Sequence, residues 1–206
     1  MRSSRVAALL LAAGGSSRMG QLKQLMPWMG RTLVAFQAEQ LILAGAWPIV
    51  AVLGAEARRV AVPLRHFSEV TLVSNPLHTR GKTTSIHAGL RGLRERVDAI
   101  LLLGVDQPRH AATLQRLIST HVERRPLITL PVYQGRRGHP PVLSASLLPE
   151  LWALSEEGQG LRAVVARHVS DAVEVPFDTP EVLLDLNTPD EYHAALTFFE
   201  ALSPGR

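Results

Sequence analysis

The stretch LLLAAGGSSRMGQLKQLMPW, Leu9 to Trp28, decides how the rest of the chain is read. An apolar run, Val6 to Leu11, breaks at Gly14 and Gly15 and then presents Arg18, Gly20 and Lys23 in quick succession. Such a run suits a strand buried on both faces of a parallel sheet. It also has the makings of a secretory leader, with Arg2 and Arg5 ahead of it and Ala12-Ala13-Gly14 as a small-residue cleavage site. Cleavage there would separate the glycines from the strand that presents them. The motif through Lys23 makes chemical sense only if the strand is kept, which favours the strand.

Working outward, Ile49 to Leu53, Val70 to Ser74, Ala99 to Gly104 and Leu127 to Val132 are further short apolar runs. Thr32 to Ala44, Thr84 to Arg94 and Ala111 to Arg124 lie between them with helical spacing, traced by Leu33, Phe36, Gln37, Gln40 and Leu41 in the first. Strands alternating with amphipathic helices imply βαβ crossovers and a mostly parallel sheet, so the class is α/β. After Gly135 the rhythm loosens into an irregular segment with a helix from about Ala145 and a short strand at Val182 to Leu184. The chain closes on a helix for which Thr188 is the expected N-cap, with Pro189 at the first helical position. Nothing in the composition divides residues 1–206, and one domain is expected.

The 206 residues are 46% hydrophobic and 19% charged, with no cysteine, which excludes disulfides and cysteine-ligated metal and fits the cytoplasm. No apolar run approaches the roughly 20 residues that span a bilayer, so no membrane partner is expected. The formal charge of +4 favours an anionic partner. Basic residues are scattered and not interleaved with the few aromatics, which argues against nucleic acid.

In an open parallel sheet, ligands bind beyond the carboxyl ends of the strands. After the first strand, Gly14, Gly15 and Gly20 allow close backbone approach, Ser16 and Ser17 add hydroxyls, Arg18 offers a fork to phosphate and Lys23 a point charge. The spacing completes no Walker loop, because Gln21 and Leu22 follow Gly20. Gly81-Lys82-Thr83 has the end of such a loop, but Pro76 stands where its first glycine belongs. No G-x-G-x-x-G follows a strand. Asp106, in LLLGVDQPRH, leaves the sheet where a carboxylate either opens a helix-entry turn or binds magnesium. Asp185 and Asn187 supply a second set of oxygen donors and favour metal-assisted transfer involving a nucleotide.

LAAGGSSRMGQLKQLMPW resembles the opening motif of the nucleoside-triphosphate transferases of glycosyltransferase-A-like fold, most of all the molybdenum cofactor cytidylyltransferase branch. NPLHTRGKTTSIHAGL, Asp106-Gln107-Pro108, GRRGHPPVL and DLNTPDEY match that branch's later motifs in order, so the resemblance runs from residue 9 to residue 192. It implies a three-layer, Rossmann-like nucleotidyltransferase domain. It also implies transfer of CMP from CTP to the terminal phosphate of a molybdopterin-type cofactor, with release of pyrophosphate. Ala12, Ala13, Gly14, Gly15 and Ser16 would border the nucleotide, Ser85 would lie near it, and Arg18 and Lys23 would meet the triphosphate. Asp106 would be the principal ligand of Mg2+, or of Mn2+ as a substitute, completed by Asn187 or Asp185. His139 and Arg162 would face the acceptor. A molybdoenzyme or its accessory proteins are the implied protein partners. Ser85 also reads as a polar residue of a first helical turn and His139 as a loop histidine. The branch often has Gly-Asp-x-Gly-Ala-Arg where this chain has Glu157-Gly158-Gln159-Gly160-Leu161-Arg162, a departure that bears on the acceptor. GTP as donor, a sugar or polyol phosphate as acceptor, and a non-catalytic nucleotide-binding module are the alternatives.

Overall fold

The apolar runs become the middle of a sheet. The computed structural model describes residues 4–15 and 20–202. Its strands are β1 (Val6–Ala12), β2 (Pro27–Trp28), β3 (Arg31–Thr32), β4 (Ile49–Leu53), β5 (Val70–Ser74), β6 (Ala99–Gly104), β7 (Ile128–Tyr133), β8 (Arg136–Arg137), β9 (Val142–Ser144) and β10 (Ala172–Pro176). Its α-helices are α1 (Leu33–Leu43), α2 (Ala57–Ala61), α3 (Lys82–Gly92), α4 (Ala111–Arg124), α5 (Leu148–Trp152), α6 (Leu161–Arg167) and α7 (Pro189–Leu202).

The main sheet runs β10-β7-β9-β6-β1-β4-β5, with β8 paired to β7. β1 is parallel to β4 and to β6, with Leu10 opposite both Ala51 and Leu103. All seven residues of β1 are buried, which is why its sequence shows no alternation. Ala8 and Leu10 point into a core shared with Leu33 and Leu41 of α1, Leu114 of α4 and Phe199 of α7. Leu9 and Leu11 point into a second core with Ile86 of α3, Leu151 of α5 and Val164 of α6. Three layers result, and burial of each large aliphatic side chain contributes about 1.5–3 kcal/mol.

Two expectations fail beyond Gly135. The irregular segment is woven into the sheet: β9 inserts antiparallel between β7 and β6, and β10 pairs parallel to β7 at one edge. Residues 182–184 form no strand: Val182 and Leu183 end a 3-10 helix, Pro180–Leu183, and Leu184 is its C-cap. The carbonyls of Val182 and Leu184 accept from the Arg109 guanidinium, and that of Val182 also accepts from the His139 N–H, so this backbone is satisfied without a neighbouring strand.

The closing helix starts as its sequence predicts. Thr188 Oγ1 accepts from the Glu191 N–H at 3.2 Å, and Glu191 Oε2 accepts from the Thr188 N–H at 2.9 Å, a reciprocal capping box. Trp28, 1% exposed, packs edge-on against Tyr192 and Phe199 of α7, and the Tyr192 hydroxyl donates to the Pro27 carbonyl. The β2–β3 hairpin thereby draws the start of α7, with Asp185 and Asn187 just before it, toward the segment that carries Lys23.

Candidate active site

From β1 the chain builds β4 and β5 on one side, then returns to place β6 on the other. That reversal opens a crevice at the carboxyl ends of β1 and β6, where open α/β sheets bind ligands. A cavity of about 310 Å³ lies there, lined by Gly14, Lys23, Ser85 and Asp106 together with Lys82 and His78.

The loop after β6 is held from several sides. A Cβ on Gly104 would come within 2.6 Å of Asp106 Oδ1, so only glycine lets this carboxylate fold back over the strand end. Gln37 of α1 donates through Nε2 to the carbonyl of Gln107 (2.7 Å) and accepts through Oε1 from the Arg109 N–H (3.3 Å). A neighbouring glutamine, Gln40, accepts from the Ala111 N–H at 2.9 Å and Glu181 from the His110 N–H at 2.6 Å, which satisfies the first turn of α4. Helical spacing alone had set both glutamines in the core stripe; their task is to fix the loop that bears Asp106.

Arg109 joins this loop to the late segment. It is fully buried, and its guanidinium donates to the carbonyls of Pro108, His139, Val182 and Leu184. Burial pushes its pKa down to about 10, against the pull of Glu181, Asp185 and Asp106, so it stays charged at neutral pH. One side chain thus spaces three segments carrying Asp106, His139 and Asp185.

Lys23, 9% exposed, donates from Nζ to Asn187 Oδ1 at 3.1 Å and stands 3.6 Å from Asp106 Oδ2. Asp185 lies beside them. Its Oδ1 is buried without a hydrogen-bond partner among the described residues, and its pKa is raised by desolvation first and then by the Asp106 charge, while Asn187, Lys23 and Lys82 oppose the shift. Two carboxylates and an amide oxygen, one of them orphaned and two repelling each other, suit a hard cation such as Mg2+ or Mn2+. No group of three or more His, Cys, Asp and Glu ligands exists among the described residues, so such an ion would need Asn187 and substrate oxygens as well.

Ala12 and Ala13 are buried at the end of β1, whereas Gly14 and Gly15 are exposed at the crevice. Gln24 Nε2 donates to the carbonyls of Ala12 (2.9 Å) and Gly14 (2.7 Å) and pins this turn. Ser16 and Arg18 lie outside the described residues. Ser85 sits in the first turn of α3, accepting from Asn75 Nδ2 at 3.0 Å, and lines the cavity. His139 is exposed, yet neighbouring protein partly desolvates its ring. That partial desolvation, with the charges of Lys82, Arg109 and Arg162, pushes its pKa down to about 4 against the pull of Asp106. Arg162, exposed at the start of α6, is close enough for its charge to act on His139. Gln24, Gln37, Lys82 and Arg109 were not among the expected site residues; the glutamine directly after Lys23 and the Gly-Lys pair opening a helix were the available signals.

The model of the MobA-like NTP transferase domain matches residues 8–173. The chain is 26% identical over 192 residues to the molybdenum cofactor cytidylyltransferase of Escherichia coli K12, covering 93% of this chain and 96% of that one. It is 34% identical over 166 residues to the nicotine blue oxidoreductase of Paenarthrobacter nicotinovorans, covering 76% and 79%. Among solved structures it is similar to Rv0371c of Mycobacterium tuberculosis, with a TM-score of 0.82, 27% identity and coverage of 95% and 100%. A manganese complex of that protein matches with a TM-score of 0.74 and 28% identity, covering 94% and 99%.

Proposed function

Because the chain belongs to the MobA-like NTP transferase family, we propose that it transfers a nucleoside monophosphate, CMP from CTP, to the terminal phosphate of a molybdopterin-type acceptor. The observation that carries this reading is the joining of Lys23, Asp106 and Asn187 in one contact set at the mouth of the glycine turn. The two reactants are anions, so the protein has to align them and offset charge while it grows on the departing pyrophosphate. A bond forms between an acceptor phosphate oxygen and the α-phosphorus of the triphosphate, and the bond to the pyrophosphate oxygen breaks. No covalent enzyme intermediate is needed. The acceptor phosphate is already ionised near neutral pH, so no side chain has to remove a proton.

Each residue has its part in this reading. Lys23, with Arg18, meets the triphosphate. Ala12 to Ser16 and Ser85 border the nucleotide, the turn being kept rigid by Gln24. His139 and Arg162 serve the acceptor side. Asp106, Asp185 and Asn187 would hold Mg2+, or Mn2+ in its place; once bound, that ion supplies positive charge to the phosphates. Among the described residues, no helix is long and apolar enough to cross a membrane.

The Leu-Ala-Ala-Gly opening favours CTP over GTP; overall identity does not separate the two, being 26% to a cytidylyltransferase and 28% to a molybdenum cofactor guanylyltransferase, each over most of both chains. Incubation of the protein with Mg2+, molybdopterin and each nucleoside triphosphate in turn, with products identified by mass, tests the proposal. Molybdopterin cytosine dinucleotide and pyrophosphate are expected from CTP. Binding of CTP with no transferred nucleotide from any of the four would instead point to a nucleotide-binding module. The 34% identity to nicotine blue oxidoreductase favours a second reading, redox use of the same cleft. Bleaching of nicotine blue by this protein in the presence of an added reductant, followed by the dye's absorbance, would support that reading.

A further inference from the structure

The Gly81-Lys82-Thr83 triplet fits no Walker loop and has no part in the reading above, yet Lys82 lines the same cavity as Lys23 and Asp106. It is the first residue of α3, an eleven-residue helix that opens directly after Gly81, whose φ is +112°. The start of this helix is fixed by Glu156, whose Oε1 accepts from the Thr83 N–H at 2.6 Å and from Thr83 Oγ1 at 2.8 Å. Amides at this helix end are therefore partly committed to an internal carboxylate, and the positive charge that α3 offers the cavity is the lysine side chain.

Lys82 differs from Lys23 in being exposed. No hydrogen bond or ion pair engages its ammonium among the described residues. Its charge nonetheless reaches across the crevice: it helps to keep the Asp185 carboxyl ionised and opposes protonation of His139. Arg162 acts on His139 in the same direction. The two cations are brought together by the packing of the loop before α6 on the start of α3, where a Cβ on Gly160 would lie 3.3 Å from Thr83 Cγ2. The one carboxylate at this junction, Glu156, is committed to Thr83, and two cations next to an uncharged imidazole able to donate one N–H describe a receptor for a compact, doubly charged oxyanion. The carboxylates of Asp106 and Asp185 lie on the opposite wall, with Lys23.

We propose that Lys82, with Arg162 and His139, forms a second anion subsite that takes a phosphate monoester dianion, facing the subsite built around Lys23. This rests on the transferase reading for its meaning: the monoester is the acceptor's nucleophilic phosphate, and Lys82 holds it while Lys23 holds the triphosphate. Lys82 would lower the repulsion between the reactants without lying on the nucleotide.

The test uses the full chain with phenyl phosphate, a monoester dianion, and methyl phenyl phosphate, a diester monoanion, in calorimetric titrations beside CTP. The wild type is expected to bind the monoester more tightly than the diester. Lys82→Met should weaken phenyl phosphate binding by about tenfold, the loss of roughly one charge-assisted contact, and leave CTP affinity within about twofold. Lys82→Arg should restore most of it. Weakened CTP binding with unchanged phenyl phosphate binding would overturn the proposal and assign Lys82 to the triphosphate. Phenyl phosphate binding that is equal in wild type and Lys82→Met would overturn it as well. The two readings fail separately: a wild type that binds the monoester through Lys82 but transfers no nucleotide leaves the subsite standing. Transfer that is unaffected by Lys82→Met leaves the transferase standing without it.

Discussion

Lys23 and Lys82 stand on facing walls of one crevice and are used in opposite ways. Lys23 is buried and bonded, its ammonium between Asn187 and Asp106. Lys82 is exposed, its ammonium without a partner among the described residues, on a helix start that is itself firmly anchored. A buried lysine paired with carboxylates is organised before any ligand arrives, and its charge is already partly spent. An exposed lysine on a rigid base keeps its charge for what binds. The difference suggests a division of labour: one wall arranges a cation, carboxylates and the triphosphate, while the other wall receives the second anion.

Removing the centre of the first wall should have the largest effect. Asp106→Ala deletes the carboxylate nearest Lys23 and the expected principal metal ligand, so pyrophosphate release with CTP and Mg2+ should fall by about a thousandfold or more. Asp106 is partly exposed, and its loss also relieves repulsion on Asp185, so the thermal midpoint should stay within about 3 °C. Near-normal pyrophosphate release from this variant would dissolve the distinction between the walls, because the carboxylates would then have no role in transfer.

Arg109 links the walls, since it holds the His139 carbonyl on one and the Val182 and Leu184 carbonyls that lead to Asp185 on the other. Arg109→Met fills similar volume but leaves buried carbonyls unpaired. A cost of about 3 kcal/mol is expected, a drop in thermal midpoint of roughly 6–12 °C by calorimetry. Arg109→Lys should rescue little of it, because three donors on a flexible stem cannot serve four carbonyls arranged around a planar fork. A melt unchanged in either variant would show that backbone contacts such as His139 N–H to Val182 O are enough to join the walls.

The first wall was far more legible in the sequence than the second, for a physical reason. β1 with its glycines, Lys23, and the strand ending in Gly104 and Asp106 are each local: a buried strand, a turn that needs glycine, and a charge within a few residues. Sequence order alone places them at one end of a parallel sheet. The second wall, and the late segment that brings Asp185 to the first, depend on distant partners. β9 is three residues long and exists because β6 and β7 flank it, and residues 180–183 are a 3-10 helix rather than the expected strand because Arg109, more than 70 positions before Val182, takes the Val182 and Leu184 carbonyls. Lys82 was visible as part of an incomplete Walker tail, but only the fold brings it next to His139 and within reach of Asp185.

Asp185→Asn should give the smallest effect and the sharpest one, because stability and binding should move in opposite directions. Desolvation and Asp106 raise the Asp185 pKa in the folded chain, so the unfolded chain gives up this proton more easily. The group's contribution to stability therefore falls as pH rises through the raised folded value, and at neutral pH an ionised, partly buried carboxylate with one unpartnered oxygen is a cost. Asparagine leaves a neutral amide in that place, which is cheaper to bury than a charge. The thermal midpoint should rise by about 1–3 °C at neutral pH, and the gain should vanish below the ordinary carboxylate range, where wild-type Asp185 is protonated in both states. Affinity for Mn2+, read by electron paramagnetic resonance, should fall by about tenfold, since a charged oxygen ligand has been replaced by a neutral one. A variant that is both less stable and unchanged in Mn2+ affinity would mean that Asp185 is a structural carboxylate and that Asp106 and Asn187 alone complete the first wall.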